Sequence, residues 1–122
     1  MALKILIVDD EEDLIEVLTD RLESYGFEVF SAGNGLQALH ILAKEKFDGI
    51  FLDLRMPGLD GFGTLEQIRE ADKATPIIII TASSNKEAAI AAEAKGANEC
   101  LMKPFDWEEL KAKIAKSFRV EV

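Results

Sequence analysis

Cysteine is nearly missing from this chain, with one thiol, Cys100, in 122 residues. A lone cysteine cannot form an internal disulfide, and the lack of a cysteine framework fits a reducing compartment. Basic residues are also scarce, 14 Lys and Arg against 23 Asp and Glu, which leaves a net charge of −9. Sequence-independent binding to nucleic acid needs clustered lysine and arginine, so direct contact with nucleic acid is not expected. No apolar run approaches a membrane span, and Met1-Ala2-Leu3-Lys4 leads straight into a strand-like segment without the pattern of a secretory signal. Membrane insertion is therefore not expected, and the cytoplasm is the expected compartment. Low-complexity tracts, internal repeats and Pro/Ser-rich linkers are absent as well. What remains is 48% hydrophobic and 30% charged, and a chain of this size can bury one core without staples. A single domain over residues 1–122 is expected.

Short apolar runs alternate with amphipathic segments from end to end, the pattern of βαβ units with right-handed crossovers and a parallel sheet. Five strand-then-helix repeats are expected, with strands at residues 4–8, 27–31, 48–52, 77–80 and 99–102. Ile77-Ile78-Ile79-Ile80 shows no alternation, as a central strand covered on both faces would. The first helix, about 12–25, carries Leu14, Leu18 and Leu22 on one stripe flanked by Ile15 and Val17, an acidic opposite face, and Gly26 as its carboxyl cap. The second begins near Asn34-Gly35. The third begins near Gly61, with Phe62, Leu65 and Ile68 inward. The fourth follows Ser83-Ser84-Asn85, whose small polar side chains suit a cap, and ends at Gly96. The last starts at about Asp106 and carries Trp107, Leu110, Ile114 and Phe118 on one stripe. Arg55-Met56-Pro57-Gly58-Leu59-Asp60 reads as a short loop set by Pro and Gly turn chemistry.

Asp9 and Asp10 close the first apolar run and Asp53 closes the third. In open parallel sheets ligands bind beyond the carboxyl ends of the strands, so acids there mark a site for metal and phosphate chemistry. Taken alone, Asp9-Asp10-Glu11-Glu12 could simply complement a helix amino terminus. Lys103-Pro104 alone would mean a turn, and Thr81 alone a strand-terminal hydroxyl. It is their company that singles them out. His40 lies mid-helix with no second His or Cys nearby and receives no role.

Four separated motifs, Val8-Asp9-Asp10-Glu11-Glu12, Leu52-Asp53-Leu54-Arg55-Met56-Pro57-Gly58-Leu59-Asp60-Gly61, Thr81-Ala82 and Lys103-Pro104-Phe105, occur in order along nearly the whole chain. Together they resemble the receiver domain of two-component response regulators. The resemblance implies an α/β, flavodoxin-like doubly wound (βα)5 fold, a five-stranded parallel sheet of order 2-1-3-4-5 with helices on both faces. It implies Asp53 as phosphoacceptor, Mg²⁺ or Mn²⁺ held by Asp9, Asp10, Asp53 and the backbone carbonyl of Arg55, and Lys103 and Thr81 as partners of the phosphoryl group. Asp10 is the expected direct ligand, and Pro104 is expected to follow a cis peptide. Three neighbouring carboxylates repel, so at least one pKa should rise without metal.

The implied function is a phosphorylation-operated signalling switch rather than an enzyme. Its expected partners are a sensor histidine kinase or histidine phosphotransfer protein, and an unidentified downstream protein met through the face formed by the fourth helix, fifth strand and fifth helix. It would act as a monomer or a weak phosphorylation-dependent dimer. Leu14, Ile15 and Leu18 could dock the kinase, unless they are core. No output domain is legible after the fifth helix.

The chain departs from the family pattern at Cys100, where an aromatic residue commonly rotates with the switch threonine. A thiol cannot fill and vacate that space, so output would depend on loop and helix shifts. A redox role for it is disfavoured, since Glu99 precedes it and nothing adjacent lowers its pKa. Arg55 and Ser83 occupy positions that tune phosphate lifetime, and Arg55 could hinder the attacking water. Phe105 and Trp107 read as anchors of the last helix. Three other readings compete. A haloacid-dehalogenase-type phosphohydrolase would need an acid where Arg55 stands. A flavin carrier would need a Gly- and hydroxyl-rich loop where Asp9-Asp10-Glu11-Glu12 stands. A non-phosphorylated adaptor would be expected to have lost one of the key residues.

Overall fold

The computed structural model of the chain describes residues 2–55 and 60–122, with Ser83 described by its backbone alone. The Pro/Gly turn expected at residues 56–59 lies outside the described residues. Five strands, β1 Lys4–Val8, β2 Glu28–Ala32, β3 Gly49–Asp53, β4 Ile77–Ala82 and β5 Glu99–Lys103, alternate with helices α1 Glu12–Ser24, α2 Gly35–Lys44, α3 Gly61–Ala71, α4 Lys86–Ala94 and α5 Trp107–Phe118. All pairings are parallel, in the order β2-β1-β3-β4-β5. The doubly wound, flavodoxin-like architecture is thus the expected one, with strand ends within two residues of those read from the sequence. The isoleucine run is an interior strand, but β3, buried along its whole length, occupies the middle of the sheet.

Because successive strand residues point to opposite faces, β1, β3 and β4 divide their side chains between two cores. Leu6, Val8, Ile50, Leu52, Ile77 and Ile79 pack with Ala38 of α2, Leu65 and Ile68 of α3 and Ala92 of α4. Ile5, Ile7, Phe51, Ile78 and Ile80 pack on the other face with Leu18 and Leu22 of α1 and Leu110, Ile114 and Phe118 of α5. Fully burying a Leu or Ile contributes about 1.5–3 kcal/mol, so truncating Leu18 or Ile114 to alanine removes a large share of the stability. Leu18 is wholly buried and therefore core, which removes it from any docking face; Leu14 and Ile15 are half-buried and Val17 is 49% exposed. By contrast α4 buries only Ala89 and Ala92.

Helix starts follow local chemistry. Asn34, Asp60 and Asp106 accept the amides of Gln37, Gly63 and Glu109 and so cap α2, α3 and α5. Before α4 the outcome differs from expectation. Ser83–Asn85 form a 3-10 turn, and the Asn85 side chain does not cap the helix but donates to Thr81 Oγ1 at 3.2 Å. Gly26 and Gly96 close α1 and α4 with φ of +96° and +115°, where a side chain would be strained. Gly61 is needed for a different reason: a Cβ there would collide with the backbone of Asp53 and Leu54. The start of α3 is pressed against the end of β3 and fixes the residues just after Asp53.

Candidate functional site

The sheet register brings the acids together. β1 pairs with β3 through Val8 and Leu52, so Asp9 and Asp53 follow side by side at the carboxyl edge. Asp9 is fully buried, Asp53 is 4% exposed, and Asp10 faces solvent. Each of the three offers an oxygen within 4.8 Å of the other two. From β5, Lys103 stands opposite Ala82 and extends its Nζ to 3.7 Å from Asp53 Oδ2 and 3.9 Å from Asp9 Oδ2. The Lys103-Pro104 peptide is cis, as expected. Asp10, Glu11, Asp53, Arg55, Ala82 and Lys103 line a cleft of about 320 Å³. A larger hollow of about 510 Å³ between α2 and α3 is mostly apolar and lies away from this cluster.

Backbone amides already hold one oxygen of each buried acid. Asp9 Oδ1 accepts from the Glu11 amide and Asp53 Oδ1 from the Arg55 amide, both at 2.9 Å. Asp9 Oδ2 is buried and finds no hydrogen-bond partner among the described residues. Burial first, and then the nearby Asp53 charge, push Asp9 up to about 7 from an ordinary 3.8, against the lowering effects of the Glu11 amide and Lys103. A raised carboxylate was expected, but from mutual repulsion; desolvation is the larger cause. Lys103 moves up as well: burial opposes its charge, but the hydrogen bond to Glu11 and the charges of Asp53, Asp9 and Glu11 outweigh that.

The chemistry of this donor set fits a hard divalent cation. Mg²⁺ prefers oxygen ligands, usually one or two carboxylates with waters and phosphate oxygens completing an octahedron. An unpartnered buried carboxylate oxygen beside two further carboxylates is a site that a cation would relieve.

Two contacts here escaped the sequence reading. Lys103 Nζ hydrogen-bonds Glu11 Oε1 at 2.9 Å, closer than either aspartate. Thr81, 1% exposed, has its hydroxyl oxygen engaged by Asn85 on the turn before α4. The one available signal for Glu11 was its place at the amino cap of α1, where glutamate is a poor capping residue and its side chain is free for other use. At the other expected positions, His40 is exposed on α2, and Phe105 and Trp107 are half-buried with ring centroids 6.2 Å apart. The Arg21 guanidinium lies 4.3 Å over Trp107, so these rings join α5 to α1. Cys100 is half-buried, and its Sγ donates to the Ala89 carbonyl at 3.4 Å. Burial, followed by Glu93 and Glu99, pushes this thiol up to about 12, which is the reverse of a reactive cysteine.

Fold and cleft define an α/β protein with a strand-end acid triad and a convergent lysine. Residues 5–115 match the family of response regulator receiver domains, and the chain belongs to that family. It is 36% identical over 118 residues to the regulatory protein AtoC of Escherichia coli K12, covering 97% of this chain and 26% of that protein. Among solved structures it is similar to the chemotaxis protein CheY4 of Vibrio cholerae, with a TM-score of 0.89, 32% identity and coverage of 96% of this chain and 99% of that one. It is equally similar to the receiver domain of the sensor histidine kinase PA1611 of Pseudomonas aeruginosa PAO1, with a TM-score of 0.88, 30% identity and coverage of 98% and 100%. That structure holds a magnesium ion coordinated in its active-site cleft. The chain spans between 26% and 50% of the length of the curated relatives it matches. It is a signalling domain of the two-component type, whose general function is phosphorylation-dependent switching. Among the described residues no helix is long and apolar enough to cross a membrane.

Proposed function

We propose that this chain takes a phosphoryl group on Asp53 from a sensor histidine kinase or histidine phosphotransfer protein and thereby changes which partner its α4-β5-α5 face binds. The observation that carries this reading is the meeting of Asp9, Asp10 and Asp53 within 4.8 Å, with the Lys103 ammonium 3.7 Å from Asp53. An Asp53 carboxylate oxygen attacks phosphorus. The bond from phosphorus to the donor nitrogen, or to oxygen in a small donor, breaks, and the leaving group departs with its electron pair. The product is an acyl phosphate.

Asp9, Asp10, Asp53 and the Arg55 backbone carbonyl would hold Mg²⁺ or Mn²⁺. When bound, the cation supplies positive charge against the phosphoryl oxygens. Lys103 pairs with the new dianion as a mobile point charge. Thr81 leaves Asn85 to donate its hydroxyl proton to a phosphoryl oxygen, and the turn Ser83–Asn85 with α4 follows. Phosphate thus selects one of two arrangements of that face. Val17, exposed on α1, and the half-buried Ile15 beside it are available to a kinase, and any dimer forms through the α4-β5-α5 face after phosphorylation. The downstream partner is a protein, and a role in regulating transcription, as in the relatives named as transcriptional regulators, would be exercised through it.

Intact-mass spectrometry after incubation with acetyl phosphate and Mg²⁺ tests the site. A single phosphoryl adduct is expected, absent in Asp53→Asn and absent with EDTA. No adduct under conditions that label another receiver would favour a constitutive adaptor.

A further inference from the structure

Lys103 faces a choice of three carboxylates. The two buried ones present Asp53 Oδ2 and Asp9 Oδ2 at 3.7 and 3.9 Å, beyond hydrogen-bond reach, while the exposed one, Glu11, holds the ammonium at 2.9 Å. Those same two Oδ2 atoms are the oxygens left over when the Glu11 and Arg55 amides have taken Oδ1 of each acid. An ammonium and a divalent cation would therefore compete for one pair of oxygens. Where the ammonium rests decides which has them.

Glu11 is built for this. It is the amino-cap residue of α1, its own amide tied to Asp9, yet its side chain makes no capping bond and turns to the lysine. It is 59% exposed, so the pair is weak, worth a factor of about two to five in equilibrium. A weak holding contact keeps the lysine near and releases it readily.

We infer that Glu11 is a positioning residue that parks the Lys103 ammonium off the Asp9 and Asp53 oxygens, leaving them for the metal, and surrenders it when a phosphoryl dianion appears on Asp53. This rests on the reading of the acid cluster as a metal site given above. Without Glu11 the lysine settles onto the buried carboxylates, and the divalent cation must displace it.

Reach can be separated from charge. Glu11→Gln removes the charge, whereas Glu11→Asp keeps the charge but shortens the arm and places a better capping residue at the start of α1. Calorimetric Mg²⁺ titration of the unphosphorylated chain, with a thermal melt of each variant, distinguishes the two. Both variants are expected to bind Mg²⁺ about two- to fivefold more weakly. Glu11→Asp should do so while melting no lower than the unaltered protein, and should leave affinity unchanged in a Lys103→Met background. Affinity equal to the unaltered protein in Glu11→Asp, with a loss in Glu11→Gln alone, would mean that Glu11 acts only through its charge and would overturn the inference. So would two unchanged variants. If the unaltered protein itself binds no Mg²⁺, the metal-site reading falls and takes this inference with it, an outcome recognisable because it needs no variant.

Discussion

Asp9 and Glu99 are both carboxylates buried at a strand end, and they fare oppositely. Glu99, at the start of β5, is 9% exposed and meets Lys113 Nζ at 2.9 Å and Lys116 Nζ at 3.1 Å, both from α5. Burial would raise its pKa, but the hydrogen bonds from the two lysines outweigh it, and the carboxyl is held below its ordinary value. Asp9, at the other edge of the sheet, has one oxygen without a partner among the described residues and a pKa pushed up to about 7. Two buried carboxylates thus end differently, the shallower as a satisfied strut at one edge and the deeper as an unsatisfied acid at the other. A charge whose partners are all supplied by the fold has nothing left to bind. The acid that the fold leaves incomplete is the one that can receive a ligand.

The largest expected effect lies beside the satisfied acid. Burial, and then Glu93 and Glu99, keep Cys100 protonated, and a thiol with a pKa of about 12 has roughly a thousandfold less thiolate near neutral pH than one at its ordinary 9.0. A thiol reagent should modify the folded protein roughly a thousandfold more slowly than the denatured chain. Rapid labelling of the native protein would contradict that, and with it the inertness of this edge.

Next comes the acid edge. Since the folded-state pKa of Asp9 lies above 3.8, the native protein holds a proton that the unfolded chain has lost. That contribution is full below about 3.8 and disappears as pH rises through about 7, a loss on the order of 4 kcal/mol, of which roughly 3 falls between pH 5 and pH 8. Urea unfolding in EDTA at pH 5 and pH 8 should show this fall in the unaltered protein and much less of it in Asp9→Asn. Saturating Mg²⁺ should restore stability at pH 8, by about 2.7 kcal/mol at a hundred times its dissociation constant. A flat profile in EDTA would mean that water satisfies Asp9.

Glu99 should give the opposite sign and a smaller size. Its depressed pKa contributes stability present above the ordinary 4.5 and lost as pH falls through the lower folded value. Glu99→Gln is expected to destabilise by about 1 kcal/mol at pH 7 and by nothing measurable once both forms are protonated, checked by the same urea experiment. Smaller still is Arg55, which lines the cleft beside Asp53. Arg55→Ala should shorten the lifetime of the acyl phosphate by less than about tenfold, followed by loss of the mass adduct, and equal decay rates would remove Arg55 as a guard against water.

Much of this molecule was legible because its rules are local. Strand runs, helix stripes and the caps Asn34, Asp60 and Asp106 each depend on residues within a few positions, and strand-end acids in a parallel sheet need only a count of the elements before them. The sheet order came from family likeness, since nothing local in five βα units chooses it. The contacts that stayed hidden join distant positions or compete with local rules. Glu11 and Lys103 are 92 residues apart, and Glu99 on β5 takes its lysines from α5. Asn85 looked like a cap and instead reached back to Thr81. That one of the three carboxylates would rise follows from repulsion, but which one, and its main cause, loss of water, depend on packing depth, which no motif records.

The thin footing of α4 bears on time as well as place. Two buried alanine methyls and the half-buried Ala88 hold it to the sheet, against Leu110, Ile114 and Phe118 beneath α5, so it lacks several kcal/mol of apolar anchorage that its neighbour has. Segments so lightly fastened open far more often than the global unfolding of the chain. Small residues beneath a helix also tolerate sliding, because a methyl leaves no deep socket to vacate. The Ala89 and Ala92 contacts thereby leave α4 free to lift and reseat many times for each time the sheet beneath it opens.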